Sequence, residues 1–200
     1  VRIFDKNTLP TDAVLDIIAR HPTKCLSEIA DETFFKELND THFMRIAVLL
    51  AQKSYEEGGC PIGGVIIDNK TRKIMGKGHN TLIQENDPYN HGETAAIKNA
   101  GRIDFSLTTI FTTLSPCDVC ASLVHMRGFD RIVVGDVTNA SGNEKLLADK
   151  GVKVVILEDQ KGIALYAQYR KEKPDQDLED WMGLAAVRRA HEAKTPHPKR

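Results

Sequence analysis

An α/β fold is predicted by three observations. From residue 93 onward, short β-branched apolar runs alternate with stretches of helical periodicity. Glycines close the helical stretches in turn, at Gly101, Gly128 and Gly151. The connection 136–151 spans 16 residues and contains one of those helices. That is long for a hairpin and sufficient for a right-handed crossover, so the last two strands are expected to be parallel. Strand, helix and strand repeated in this way place helices on the faces of a sheet.

Each element has its own signal. Residues 12–20 carry Ala13, Val14, Ile17 and Ile18 at helical spacing behind Thr11 as N-cap. A weaker helix is expected over 28–38. Over 41–57, Phe43, Ile46, Ala47, Leu50 and Ser54 line one helical face, and Gly58-Gly59 stops it. Residues 65–67 and 74–78 read as a hairpin turning at Asp68-Asn69-Lys70-Thr71. Helices follow at 93–100, 116–126 and 143–150, and strands at 108–113, 131–135 and 152–157. The segment 162–189 reads as helix broken near Pro174. From Arg188 the chain holds five basic residues, one acidic residue and two prolines, the pattern of a solvated tail. The expected organisation is a helical extension over 1–40, one catalytic domain over 41–185 and a flexible basic tail over 186–200.

Composition limits the function. Of 200 residues, 41% are hydrophobic and 28% charged, which is ordinary for a globular protein. With 27 basic against 28 acidic residues the formal charge is -1, which argues against a broad polyanion-binding surface. The apolar run 46–51 is far shorter than the ~20 residues of a membrane span. No basic segment followed by an apolar core opens the sequence, and a soluble cytoplasmic protein is expected.

The cysteines are Cys25, Cys60, Cys117 and Cys120. Without secretory features, a C-x-x-C pair points to a metal or redox site before a disulfide. Cys25 and Cys60 read as buried thiols. The informative residues are His91-Gly92-Glu93 and, 26 positions after His91, Cys117-Asp118-Val119-Cys120 preceded by Ser115-Pro116. H-x-E combined with P-C-x-x-C is the signature of zinc deaminases. Pro116 suits the start of a helix, which places Cys117 and Cys120 three apart on one face of the first turn. Positive partial charge at a helix start favours thiolates there. His91 opens another helix, and Glu93 stands two residues on, able to face a metal without binding it. Two thiolates and an imidazole suit Zn²⁺, and three protein ligands leave a position for water. Two alternatives compete with this reading. A closed structural zinc would need Cys60, His79 or His125 as a fourth ligand, and none of these stands at ligand spacing. A thioredoxin-like redox pair would leave His91 and Glu93 unexplained.

Beyond that signature, the chain resembles the cytidine deaminase superfamily, and within it the yeast-type cytosine deaminases. The resemblance spans residues 41–183. It is carried by Tyr55-Glu56-Glu57-Gly58-Gly59, Pro61-Ile62-Gly63-Gly64, Gly78-His79-Asn80, His91-Gly92-Glu93, the segment from Thr112 to Cys120, and Val133-Val134-Gly135. It implies a three-layer α/β/α fold with a five-stranded mixed sheet, one zinc per subunit held by His91, Cys117 and Cys120, Glu93 as the catalytic residue, and a homodimer. It also implies a base pocket. Asn80 would bond a ring carbonyl and ring nitrogen, the backbone of Gly92 and Ser115 would line the base, and Ile62 would pack on its face. Asp180, six residues after Pro174, would grip the exocyclic amine.

The departures bear on substrate. Ala140 stands where the yeast-type enzymes carry an aromatic lid residue. Asp177 stands where they carry a tryptophan, although Trp181 follows nearby. Residues 86–90, Asn-Asp-Pro-Tyr-Asn, are closer to the corresponding segment of tRNA adenosine and guanine deaminases, and the first 40 residues have no yeast-type counterpart. The expected activity is hydrolysis of free cytosine to uracil and ammonia in pyrimidine salvage. The alternatives are another small heterocycle, such as guanine, creatinine or a related cyclic amidine, and then tRNA adenosine. Neither a membrane nor a nucleic-acid partner is expected.

Overall fold

The computed structural model describes residues 3–194. Helix α1 (Asp12–Arg20) begins at Thr11, whose side chain accepts from the Val14 N–H. The single helix expected over 28–38 is instead a 3-10 turn, Thr23–Glu28, followed by α2 (Glu32–Glu37). Asp31 breaks the continuity: its carboxylate caps α2 by accepting from Phe34 N–H, while Ala30 pairs with Phe4 in a short bridge. Helix α3 (Asp40–Glu56) starts in a reciprocal cap between Asn39 and His42.

Strands β1 (Gly63–Asp68) and β2 (Ile74–His79) form the expected antiparallel hairpin, and the Asp68 carboxylate accepts from the N–H groups of Lys70 and Thr71 at its turn. A one-turn helix α4 (Leu82–Glu85) precedes α5 (Gly92–Ala100). Then come β3 (Thr108–Thr112), α6 (Asp118–Met126), β4 (Arg131–Val134), α7 (Glu144–Asp149) and β5 (Lys153–Ile156). The C-terminal segment is three helices, α8 (Gln160–Glu172), α9 (Pro174–Met182) and α10 (Leu184–Lys194). It breaks at Pro174 and again at Gly183, whose φ of 75° a side chain would resist. Residues 188–194, expected in a flexible tail, therefore belong to a helix; residues 195–200 lie outside the described residues.

The five strands form one mixed sheet in the order β2-β1-β3-β4-β5. β1 is antiparallel to both neighbours, whereas β3, β4 and β5 are parallel. Period-two alternation sorts the side chains between two cores. Val65, Ile67, Phe111 and Val133 join α1, α2 and α3 on one face. Ile66, Ile110, Ile132 and Val134 join residues of α5, α6 and α7 on the other. Helices thus cover both faces of the sheet.

Two glycines let the helices approach β1 closely. A Cβ on Gly63 would lie 2.0 Å from the Ala47 carbonyl oxygen of α3, and one on Gly92 would lie 2.8 Å from the Ile62 carbonyl oxygen. The N-terminal segment shares the first core through Leu15, Ile18, Phe34 and Phe35. Lys77 of β2, only 8% exposed, fastens it further. Its Nζ donates to the Ala19 and His21 carbonyls at 2.7 and 2.6 Å, at the C-terminal end of α1 where a cation is favoured. Among the described residues no helix is long and apolar enough to cross a membrane.

Candidate active site

Two helix starts meet beyond the ends of β1 and β3. His91 is the N-cap of α5 and Cys117 the N-cap of α6. Pro116 thus stands just outside α6 rather than opening it, and Cys120 occupies the first turn. The Sγ atoms of Cys117 and Cys120 lie 3.5 and 3.6 Å from His91 Nδ1. A tetrahedral zinc bonded to sulfur at about 2.3 Å and nitrogen at about 2.0 Å requires N···S separations of about 3.6 Å, so the donor set fits that ion. All three ligand atoms lie within 4.8 Å of one another, and among the described residues no fourth His, Cys, Asp or Glu joins them. Cys60 is packed in a different cluster and His79 is bonded to Glu57. The cluster is therefore open on one side, unlike a closed structural site. The four cysteines are free thiols; Cys60 is buried and Cys25, expected to be buried, only partly so.

The electrostatics favour a ligating thiolate. Hydrogen bonding from the Cys120 thiol, outweighing the opposing effect of burial, brings Cys117 down to about 4. The same pairing, together with burial, pushes Cys120 up. Burial opposes charge on His91, but its bond to Cys117 and the nearby Glu93 carboxylate raise its pKa on balance.

Glu93, on the first turn of α5, is 3% exposed. Burial raises its pKa, the direction that suits a carboxyl group moving protons near neutrality. Thr112 at the end of β3 donates its hydroxyl to Glu93 Oε1 at 3.1 Å and so fixes the carboxyl group's orientation. The motif reading did not single out Thr112 for this contact, because the register of β3 against α5 is set only in the folded chain.

A small cavity opens beside these groups, lined by Ile62, Asn80, His91, Glu93, Ser115, Cys117, Asp180 and Trp181. Asn80 Oδ1 accepts from Leu82 N–H, while its buried Nδ2 has no partner and remains available to an acceptor in the cavity. Ser115 N–H is used by the Asp136 carbonyl, which leaves the Ser115 carbonyl as its free backbone group. Desolvation raises the pKa of Asp180. Gly92 is not in the lining; its visible role is the close approach to Ile62. Trp181 is in the lining without having been singled out as a binding residue, since nothing in a lone tryptophan's sequence context says which surface it covers.

Comparison with known proteins gives a consistent picture. Residues 38–136 match the family described as the cytidine and deoxycytidylate deaminase zinc-binding region. The chain is 44% identical over 146 residues to the cytosine deaminase of Candida albicans, covering 72% of this chain and 94% of that protein. It is 37% identical over 102 residues to a tRNA-specific adenosine deaminase of Buchnera aphidicola, covering 48% of this chain and 61% of that protein. A solved structure of guanine deaminase from Nitrosomonas europaea aligns with a TM-score of 0.60 at 16% identity, over 66% of this chain and 85% of that one. At that identity the likeness concerns the fold alone.

Proposed function

Because the chain belongs to the cytidine deaminase superfamily and is a hydrolytic deaminase of nucleobases, we propose that its substrate is free cytosine, converted to uracil and ammonia with one zinc ion per subunit. The observation that carries this reading is the polarity of the small cavity. It sets the unpartnered Asn80 Nδ2 and the Asp180 carboxylate beside Glu93 and the His91, Cys117 and Cys120 cluster. Cytosine offers the matching groups, a ring carbonyl to accept from Asn80 Nδ2 and an exocyclic amine to donate to Asp180. Ile62 packs on the ring face, and the Ser115 carbonyl faces a ring N–H.

His91, Cys117 and Cys120 would hold the zinc ion, which when bound would supply a water acidic enough to attack at neutral pH. The chain's own residues do the rest. Glu93 takes a proton from the attacking water and delivers it to the ring nitrogen beside the amine-bearing carbon. Oxygen adds to that carbon as its double-bond character is lost. Glu93 then passes the second proton to the amine, the C–N bond breaks and ammonia leaves. One carboxyl group suffices because the transfers are sequential and short.

The subunits pair as homodimers. The largely exposed Met126 and Val119 of α6 supply apolar surface for that contact. The reaction serves pyrimidine salvage in the cytoplasm. Zinc-loaded protein incubated separately with cytosine, guanine, creatinine and tRNA, with ammonia release followed, should favour cytosine by a wide margin. A higher kcat/KM for guanine or creatinine, or release from tRNA alone, would overturn the assignment.

A further inference from the structure

Cys60, Ile62, Leu114, Tyr166 and Tyr169 form a small apolar cluster beneath the cavity, and Ala140 packs against it. Tyr166 and Tyr169 are a helical turn apart on α8, and each stands eleven positions before an aspartate of α9. Tyr169 donates its hydroxyl to Asp180 Oδ2 at 3.4 Å, and Tyr166 donates to Asp177 Oδ1 at 2.6 Å. The Tyr166 oxygen also accepts from Trp181 Nε1 at 2.9 Å. Arg170 Nε donates to the other Asp177 oxygen, and the same guanidinium reaches the Asn139 carbonyl in the loop after β4, both at 2.9 Å. Burial raises the pKa of both phenols, so each remains a neutral donor across the physiological range.

These bonds matter because α9 contributes no buried side chain of its own. Its place beside the cavity therefore draws on polar contacts, those to α8 and the His191–Asp175 pair from α10. Asp180 and Trp181, consecutive on α9, both line the cavity. Tyr169 restrains the first and Tyr166 the second. The small side chain of Ala140 leaves room for the tyrosine rings in the cluster against which it packs.

We infer that Tyr166 is a positioning residue of the substrate pocket: its single hydroxyl, bonded to Asp177 and Trp181 together, sets the indole as the cavity's outer wall and limits the pocket to a one-ring base. The substrate half of this inference rests on the cytosine reading; the placement of Trp181 does not.

Trp181 is the only tryptophan in the chain, so its fluorescence reports the wall without any turnover. In zinc-loaded protein, Tyr166→Phe is expected to shift the emission to the red and to increase quenching by acrylamide, with the melting temperature little changed. KM for cytosine should rise about five-fold with kcat nearly constant, the size expected when the indole loses its hydrogen bond to Tyr166. The ratio of guanine to cytosine turnover should rise as the wall loosens. Trp181→Phe, which keeps an aromatic wall but lacks the N–H donor, should raise KM to a similar extent. Unchanged emission and quenching in a folded Tyr166→Phe protein would overturn the positioning role, whichever base is turned over. Should Tyr166→Phe fail to fold, a parental KM in Trp181→Phe would do the same. A changed fluorescence in a protein whose parent ignores cytosine would keep the positioning role and discard the cytosine assignment.

Discussion

Glu93 combines three properties at one carboxyl group: burial, a raised pKa and a hydroxyl partner in Thr112. Glu93→Gln keeps the shape and the Thr112 contact but cannot carry protons. It should retain full zinc by metal analysis while losing at least ~10²-fold in kcat, the usual scale of general acid–base catalysis. Near-parental turnover would remove Glu93 from the mechanism. His91, Cys117 and Cys120 were legible in the sequence because ligand spacing on two helix starts is a local property. Trp181, Thr112 and the tyrosine pair were not, because each acts through a partner placed by tertiary packing. Asn80 falls between these cases. Its motif was visible, but only the fold shows that one half of its amide is used by Leu82 and the other half is free.

At the level of elements, α1 is bound to β2 by a buried cation. Burial brings the Lys77 ammonium from 10.5 down to about 8. Between those values the unfolded chain binds more proton than the folded one, so this group makes stability rise with pH across that window. Below about 8 the lysine is charged in both states and contributes no slope. Lys77→Met should flatten the rise of melting temperature between pH 8 and 10.5 relative to the parent, read by thermal denaturation at a series of pH values. An unaltered profile would show that another group sets it. Most helices and strands were legible from periodicity and glycine stops. The helix expected over 28–38 was not, because the Asp31 cap and the Phe4 bridge redirect the chain there. Nor was the helix over 188–194, where local charge and prolines suggested solvation while Ala186 anchors α10 by burial.

Across the whole molecule, the His91, Cys117 and Cys120 cluster that could hold one ion comes from the starts of α5 and α6, which pack on the same face of the sheet. Zinc bound there would link metal binding to folding. Stripping zinc with a chelator should abolish ammonia release and lower the melting temperature, and added zinc should restore both; an unmoved melting temperature would break the linkage. The parallel pairing of β4 and β5 could be read from the length of the connection between them. The central place of β3, between β1 and β4, could not, since strand order is decided by the packing of both cores together. A last consequence comes from α9, which closes the cavity without burying a side chain. If its few polar bonds broke while the sheet and both cores stayed intact, it would open a route for product release. Amide hydrogens of residues 175–182 should then exchange with solvent well before those of β3 and β4, and a tightly held product would slow that exchange. A segment held mainly by polar contacts would then set how long the product resides.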